Sequence, residues 1–417
     1  IPADPVYESQ LGNDESTRWG TQPPIMEELK KQAKALGIWN LFLPFSHGQH
    51  RRRFSNLEYG LMAEQLGKSP IASEACNCNP PDTGNMEILK KYGTEAQKKQ
   101  WLDPLLDGDL RSVFLMTEPD IASSDAKNIR LTIDKVGDEY VLNGSKWWSS
   151  GAGHTKASVF LVMGKSSPNN PDSYKQQSVI VVPADTPGIR RLRMMSVFGY
   201  DDAPHGHGHF VFENVRVPCS SILGGEGRGF EIIQSRLGPG RIHHSMRAIG
   251  VAERALEWMI ARIGDSRKTA FGKKLNQHGT ILQWVAESRI YINTARLSVL
   301  NAAFKIDVGD AKGAVSEIAQ AKVLAPRAVL ETLERAIQTY GGAGVSQDTP
   351  LAAMWAQART LKIVDGPDEV HLQQLGRNES KRGDELQAKI ERQKHLTEDL
   401  LASSKISRRK GKLFSLL

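Results

Sequence analysis

The sequence predicts an α+β protein in which a layer of helices is followed by an all-β middle and then by a bundle of long helices. Three observations carry that order. Apolar residues recur at three- and four-residue spacing from about 25 to 107, alternate within short segments from about 111 to 218, and return to helical spacing over long stretches after GGEGRGF. The implied domains are 1–110, 111–222 and 223–380, with a basic tail over 381–417.

In the first layer, PIMEELKKQAKALGIW, SNLEYGLMAEQLGK and TEAQKKQWLDPLL read as helices punctuated by Gly and Pro. The middle contains RSVFLMT, NIRLTID, EYVLNGS, ASVFLVMG, QSVIVVPA and HGHFVFENVRVP, each bounded by turn residues as a strand should be. Asn143-Gly144 inside the third marks a tight turn, because both residues accept positive φ. Helices are then expected at about 228–262, 276–306 and 313–340, with the short loops of antiparallel bundle neighbours. ELQAKIERQKHLTEDLL keeps helical spacing before the chain decays into SSKISRRKGK, a loosely held arm.

Composition narrows the class. At 417 residues, 40% hydrophobic and 24% charged, the chain lies in the range of ordinary globular proteins, which excludes disordered, collagenous and coiled-coil classes. No apolar run approaches the roughly 18 residues of a membrane span. The start IPADPVYESQ, polar and without Met, reads as a processed or excised terminus rather than a secretory signal. Cys76 and Cys78 sit too close together for a structural bridge and Cys219 stands alone, so neither a disulfide framework nor a four-ligand zinc knuckle is expected, and a reducing compartment fits. From Lys381 onward ten Lys or Arg face five Asp or Glu, so the tail supplies +5 of the net +7 and the body is nearly neutral. With no stripe of interleaved aromatics, nucleic acid is not an expected partner. His205, His207 and His209 alternate on a predicted strand and would put three imidazoles on one face. Without Cys or carboxylate at metal spacing they read as a substrate-edge loop or solvated strand, and no metal is expected.

Four separated groups of motifs, the third holding two segments, point to chemistry. Phe114-Leu-Met-Thr-Glu-Pro-Asp-Ile-Ala-Ser-Ser-Asp125 opens the β region, and Asn143-Gly-Ser-Lys-Trp-Trp-Ser-Ser150 follows within it. On the bundle lie Lys268-Thr-Ala-Phe-Gly272 and Gln338-Thr-Tyr-Gly-Gly-Ala-Gly344, and last comes Leu361-Lys-Ile-Val-Asp-Gly-Pro-Asp-Glu-Val-His371. Together with the helix, sheet, helix order, these segments resemble the acyl-CoA dehydrogenase family over roughly residues 20 to 380. The resemblance implies an N-terminal helical domain, a middle β-barrel and a C-terminal four-helix bundle. DGPDEVH and FGYDDAPHGH, the latter from Phe198 to His207, further resemble a subgroup often fused to an aminoglycoside-phosphotransferase-like kinase domain.

From the same resemblance follow the site residues. Met116 and Thr117 would face a flavin ring, Ser124 would serve both flavin and acyl-CoA, Trp148 would cover the ring and Ser150 would hydrogen-bond near its N5. An aromatic wall excludes water from a hydride acceptor. Lys268, Phe271, Gln338 and Gly342 would complete the cofactor site of a neighbouring subunit, with bare glycine backbone meeting the pyrophosphate. Lys268 stands where the family has Arg and Arg267 lies one place upstream; Glu369 falls where relatives carry a flavin-contacting Gln. Asp365 takes the place of the catalytic base. The other place where the family keeps its base, one residue before Arg241, is Gly240 and offers no carboxylate. Arg241 would help on the CoA side, and the backbone at Asp365-Gly366 would bind the thioester carbonyl.

The activity so implied is α,β-dehydrogenation of a fatty acyl-CoA to a 2-enoyl-CoA, with noncovalent FAD, in a homodimer or homotetramer that passes electrons to an electron-transfer flavoprotein or to oxygen. The alternative is a flavoprotein of this fold that binds nucleic acid or lipid without turning over acyl-CoA; the near-neutral body and the retained Asp365 favour the enzyme. A mitochondrial or peroxisomal location is expected, Ser415-Leu-Leu417 sharing the outer letters of a peroxisomal signal.

Overall fold

The computed structural model describes residues 1–43 and 54–404. The SRRKGK run and the Ser415-Leu-Leu417 terminus lie outside these residues.

The first layer contains α1 (Asp4–Leu11), α2 (Glu15–Arg18), α3 (Pro24–Leu36), α4 (Asn56–Gly67), α5 (Ala72–Ala75), α6 (Asp82–Tyr92), α7 (Glu95–Gln97) and α8 (Asp103–Asp107). Local chemistry sets these ends. α3 starts on a proline and stops at Gly37, whose φ of 74° only glycine adopts cheaply. α4 opens with a capping box, in which Ser55 accepts from the Glu58 N–H and the Glu58 carboxylate accepts from the Ser55 N–H.

The middle is one seven-stranded sheet: β1 (Arg111–Leu115), β2 (Thr132–Val136), β3 (Glu139–Ser150), β4 (Ala157–Lys165), β5 (Gln177–Pro183), β6 (Ile189–Met195) and β7 (His207–Pro218). Its order is β1-β4-β2-β3-β7-β6, with β5 paired to β4. Alternate residues divide two cores. Phe160, Val162, Ile180 and Val182 pack with Leu142, Phe210 and Phe212 inside the curled sheet. Val159, Leu161, Met163, Val179 and Val181 face the helices and join the main core. β4 and β5 are thus buried on both faces, which is why they read as continuous apolar runs. β6, IRRLRMM, lies at the sheet edge with its arginines largely exposed, and so lacks the apolar alternation by which a strand is read.

Asn143-Gly144 is not a turn. β3 runs straight through it, with a register shift against β7 between Leu142 and Gly144. Glycine is required there because a Cβ would approach Leu131 Cα to 2.9 Å and φ is 144°. Close strand packing at a bulge, rather than hairpin closure, explains the pair.

Beyond the sheet come α9 (Gly229–Gly264), the small hairpin β8 (Thr269–Ala270) and β9 (Lys273–Lys274), α10 (Gly279–Val308), α11 (Val315–Tyr340), α12 (Leu351–Thr360), α13 (Asp368–Ser380) and α14 (Gly383–Ser403). α9, α10, α11 and α13 form the bundle. Ile249, Ala252, Leu256 and Met259 of α9 pack with Ile292 and Val299 of α10 and with Val329 and Leu333 of α11. α4 lies hard against α9. A Cβ at Gly250 would strike the Glu64 carbonyl and one at Gly67 the Arg247 carbonyl, so the two glycines permit the approach that ties the first layer to the bundle. No helix among the described residues is long and apolar enough to cross a membrane.

Candidate active site

Asp365 sits in the short link between α12 and α13 with φ at 56°, and Gly366 follows at 101°. A left-handed aspartate is tolerable because its short side chain bonds locally. Glycine suits the next position, since φ of 101° is rarely adopted by L side chains and a Cβ would lie 2.8 Å from His371 Nε2. The link is held through the Asp365 carbonyl. Arg241 Nε on α9 donates to it at 3.0 Å, and His371 Nε2 on α13 lies 3.3 Å away. Arg241, Asp365 and Gly366 are therefore brought together, but the Arg241 Nε–H is engaged in bracing the loop.

The carboxylate itself faces α9 and α11. His244 Nε2 is 3.4 Å from Asp365 Oδ2. Burial alone would raise the Asp365 carboxyl, but His244, Arg236, Arg241 and Lys322 outweigh it and hold the group below its ordinary value. Burial pushes the neighbouring bases the other way: Lys322 down to about 8, His371 to about 4 with help from Arg241 and Lys322, and His244 to about 3 with help from Arg247. At neutral pH the site is an ionised carboxylate among fixed cations and neutral imidazoles. Sequence reasoning stopped at Arg241 and missed Arg236, His244 and Lys322. The available signal was spacing, because residues 241 and 244 share a helix face while 243 does not. His243 turns instead to α4, its ring 4.4 Å from that of Tyr59.

At the other end of the candidate site, β1 is pinned to β3. Thr117 Oγ1 donates to the Trp147 carbonyl at 2.7 Å, and Trp147 N–H donates to the Thr117 carbonyl at 3.0 Å. The Met116 carbonyl accepts from Lys146 Nζ at 2.8 Å; the same ammonium meets Glu118 at 2.8 Å, and burial pushes it down to about 8. Trp148 occupies a register shift between Lys146 and Ser149 with φ at 51°, which swings the indole out of the ladder to 39% exposure, 5.6 Å from the His207 ring. Ser150 Oγ lies 2.9 Å from His207 Nδ1. Ser123 is tied to Glu118, leaving Ser124 as the exposed member of that serine pair.

The three histidines do not form one trio. His207 serves Ser150 and His209 lies 3.0 Å from Ser145 Oγ, whereas His205 turns away to Glu74 at 2.6 Å, its ring 5.3 Å from that of His154 and tilted to it by 45°. Glu74, His154 and His205 bring ligand atoms within 4.8 Å of one another. Arg111 at 2.6 Å and Lys30 at 2.9 Å already claim the Glu74 carboxylate, so this is a buried ion network whose cations oppose a metal.

The remaining predicted residues gather elsewhere. Lys268 and Phe271 lie on the β8–β9 hairpin, where Phe271 is 99% exposed, Arg267 is chelated by Asp265, and Lys268 shares the hairpin with Lys273 and Lys274. Gln338 and Gly342 are exposed at the end of α11. A Cβ at Gly344 would strike the Ile337 carbonyl, but one at Gly342 meets nothing within 4 Å, so this subunit's own packing does not demand glycine there. Arg262 near the end of α9 reaches the Tyr340 carbonyl at 3.4 Å and brings both motifs to one end of the bundle. The 21 residues from Arg241 to Arg262 span about 30 Å of helix, so these motifs cannot line the same ring as Asp365 within one subunit. Glu369 is exposed in the first turn of α13.

The three-part fold and the braced carboxylate define a class, and comparison with known proteins agrees. Family models for the acyl-CoA dehydrogenase N-terminal, middle and C-terminal domains match residues 10–109, 113–215 and 227–379 in order. Acyl-CoA dehydrogenase family member 11 of Gallus gallus is 54% identical over 373 residues, 89% of this chain and 47% of that protein. FadE2 of Mycobacterium tuberculosis is 51% identical over 363 residues, 87% of each chain. Among solved structures, one assigned to the acyl-CoA dehydrogenases from Mycobacterium abscessus is 46% identical with a TM-score of 0.86, covering 91% of this chain and 94% of that one. Butyryl-CoA dehydrogenase from Megasphaera elsdenii is 27% identical with a TM-score of 0.74, covering 90% and 92%. The chain belongs to the acyl-CoA dehydrogenase family, whose members are FAD-dependent oxidoreductases. It spans about half the length of the vertebrate relatives it matches.

Proposed function

We propose that this chain oxidises a fatty acyl-CoA thioester to the 2-enoyl-CoA, with Asp365 as base. The observation that carries the reading is the half-buried Asp365 carboxylate, held below its ordinary value by His244, Arg236, Arg241 and Lys322 and set on a braced loop. Asp365 would take the proton α to the thioester carbonyl; the C–H pair becomes the new double bond as the β hydrogen departs with its electrons. Bound FAD would supply the acceptor for that hydride. Residues present suit the cofactor: an indole swung out of its strand at Trp148, hydroxyls at Thr117 and Ser150, and an outward Phe271 and bare Gly342 whose own subunit gives them nothing to pack against.

A site for the CoA nucleotide is supported at the start of α9. A cavity of about 470 Å³ there is lined by Tyr174 and Phe230, rings that suit an adenine, and by Arg228 and Lys175, which face Glu231 and Asp172 and would have to exchange those carboxylates for phosphate. Eleven helical steps of α9 lead from Phe230 to Arg241, about 16 Å of helix along which the pantetheine arm would run. Electrons would leave to an electron-transfer flavoprotein or to oxygen, and the unmatched half of the vertebrate relatives leaves room for the fused kinase-like domain that the sequence resemblance suggests. Anaerobic mixing of the purified yellow protein with a panel of acyl-CoAs tests the reading. Bleaching of the flavin by at least one chain is the expected result; a fully loaded flavin that no thioester reduces would contradict it.

A further inference from the structure

We propose that His244 is the positioning residue for Asp365: its Nε2–H, presented in one tautomer by Arg247, fixes the Oδ2 edge of the carboxylate. This rests on the reading of Asp365 as base. The geometry supplies the tautomer. Arg247 Nη2 is 3.2 Å from His244 Nδ1, and a guanidinium can only donate. His244 Nδ1 is therefore the lone-pair nitrogen, and the ring proton sits on Nε2, 3.4 Å from Asp365 Oδ2. The contact is too long and bent to be a hydrogen bond as it stands, and under this proposal it closes into one when substrate tightens the site. The described hydrogen bonds from Arg241 and His371 both end on the Asp365 backbone carbonyl. They brace the loop and leave the carboxylate to turn about its own side-chain bonds; among the described residues, His244 is the group that contacts it.

A neutral donor suits a base better than another cation would. The charged groups facing His244 are Arg236 and Arg247 on its own helix, Lys322 on α11 and Asp365 before α13, with neutral His243 beside it. Burial and Arg247 keep the imidazole uncharged at neutral pH. It can therefore orient the carboxylate without adding a full charge that would weaken it as a proton acceptor.

The test uses FAD-loaded protein reduced anaerobically with butyryl-, octanoyl- and palmitoyl-CoA between about pH 5 and 9. His244→Leu should retain a normal flavin spectrum yet bleach roughly 10- to 100-fold more slowly, because the carboxylate is no longer aimed. Its acid limb should move up by about one pH unit, since a partner of the ionised carboxylate is lost. His244→Gln, which returns an N–H near the same place, should recover to within about 5-fold. Parental rate and an unmoved acid limb in His244→Leu, or a His244→Gln variant as slow as the Leu variant, would overturn the proposal. Nitrogen NMR of the imidazole in the parent needs no substrate: a protonated Nε2 and bare Nδ1 support the assignment, while the opposite tautomer or an imidazolium near pH 7 sinks it. Asp365→Asn separates the two readings. If that variant still bleaches at the parental rate, the base assignment falls; if it is inert while His244→Leu is normal, only the positioning role falls.

Discussion

At the scale of single residues, Asp365 carries the reading and its backbone sharpens the prediction. Its side chain is one methylene shorter than the Glu usual at this position in the family, a difference of about 1 Å that is enough to alter rates by about 100-fold when a reacting geometry is missed. Asp365 holds a left-handed φ of 56° and is followed by a glycine at 101°, a conformation L side chains rarely adopt, so the loop that sets the reach of the shorter arm is locally specified. Asp365→Asn should bind FAD and acyl-CoA but reduce the flavin at least about 100-fold more slowly. Asp365→Glu should be impaired, because the longer arm overshoots and Glu tolerates the left-handed conformation less well than Asp. Single-turnover bleaching with a confirmed substrate checks both, and a parental rate in the Asn variant would move the base to Asp368 or Glu369. Asp365 was legible because a carboxylate before glycine is a local pattern. His244, Arg236 and Lys322 were not, because their relation to Asp365 exists only once α9 and α11 pack.

At the scale of elements, long helices and doubly buried strands were legible because their periodicity is their packing. β6 was hidden by the arginines of an exposed edge, and Asn143-Gly144 was misread because a bulge against Leu131 and a hairpin turn favour the same residues. Trp148 belongs to a second register shift in β3. Replacing it by Ala should loosen flavin retention and speed peroxide formation by the reduced protein, which an oxygen electrode and a flavin-release assay would read. The contact of α9 with α13 should also set an acid limit on stability. His244 and His371 are held near 3 and 4, well below the ordinary histidine value, so between about pH 6.5 and 4 the unfolded chain binds protons that the folded one refuses. Stability should be steady above that window and fall through it as pH drops, by about 1.4 kcal/mol per unit for each proton taken up. The depressed Asp365 acts in the same direction at lower pH. Urea denaturation at several pH values should show a shallower acid slope in His371→Gln than in the parent; parallel slopes would remove His371 from the account.

At the scale of the whole molecule, the residues expected to meet a flavin fall in two places of one chain, and the proposed cofactor site would draw on both only across a subunit boundary. Trp148 and Ser150 lie at the end of β3, while Phe271 and Gly342 stand at the bundle end about 30 Å of α9 away from Arg241. An aromatic ring at 99% exposure beside bare glycine backbone is surface that a neighbouring subunit's cofactor would cover under the proposed reading. Lys268 adds a cation at that same end, and α14 presents Leu386, Ile390, Leu396 and Leu400 as a further uncovered apolar row. The protein should therefore sediment as a dimer or tetramer with one FAD per chain. Phe271→Ala combined with Lys268→Ala should release flavin while leaving the helical signal and thermal unfolding of the apoprotein almost unchanged, since neither side chain supports its own subunit's core. Sedimentation and flavin absorbance measured together decide the matter: a stable monomer saturated with flavin, or a double variant that holds its flavin as tightly as the parent, would mean that each chain completes its own site.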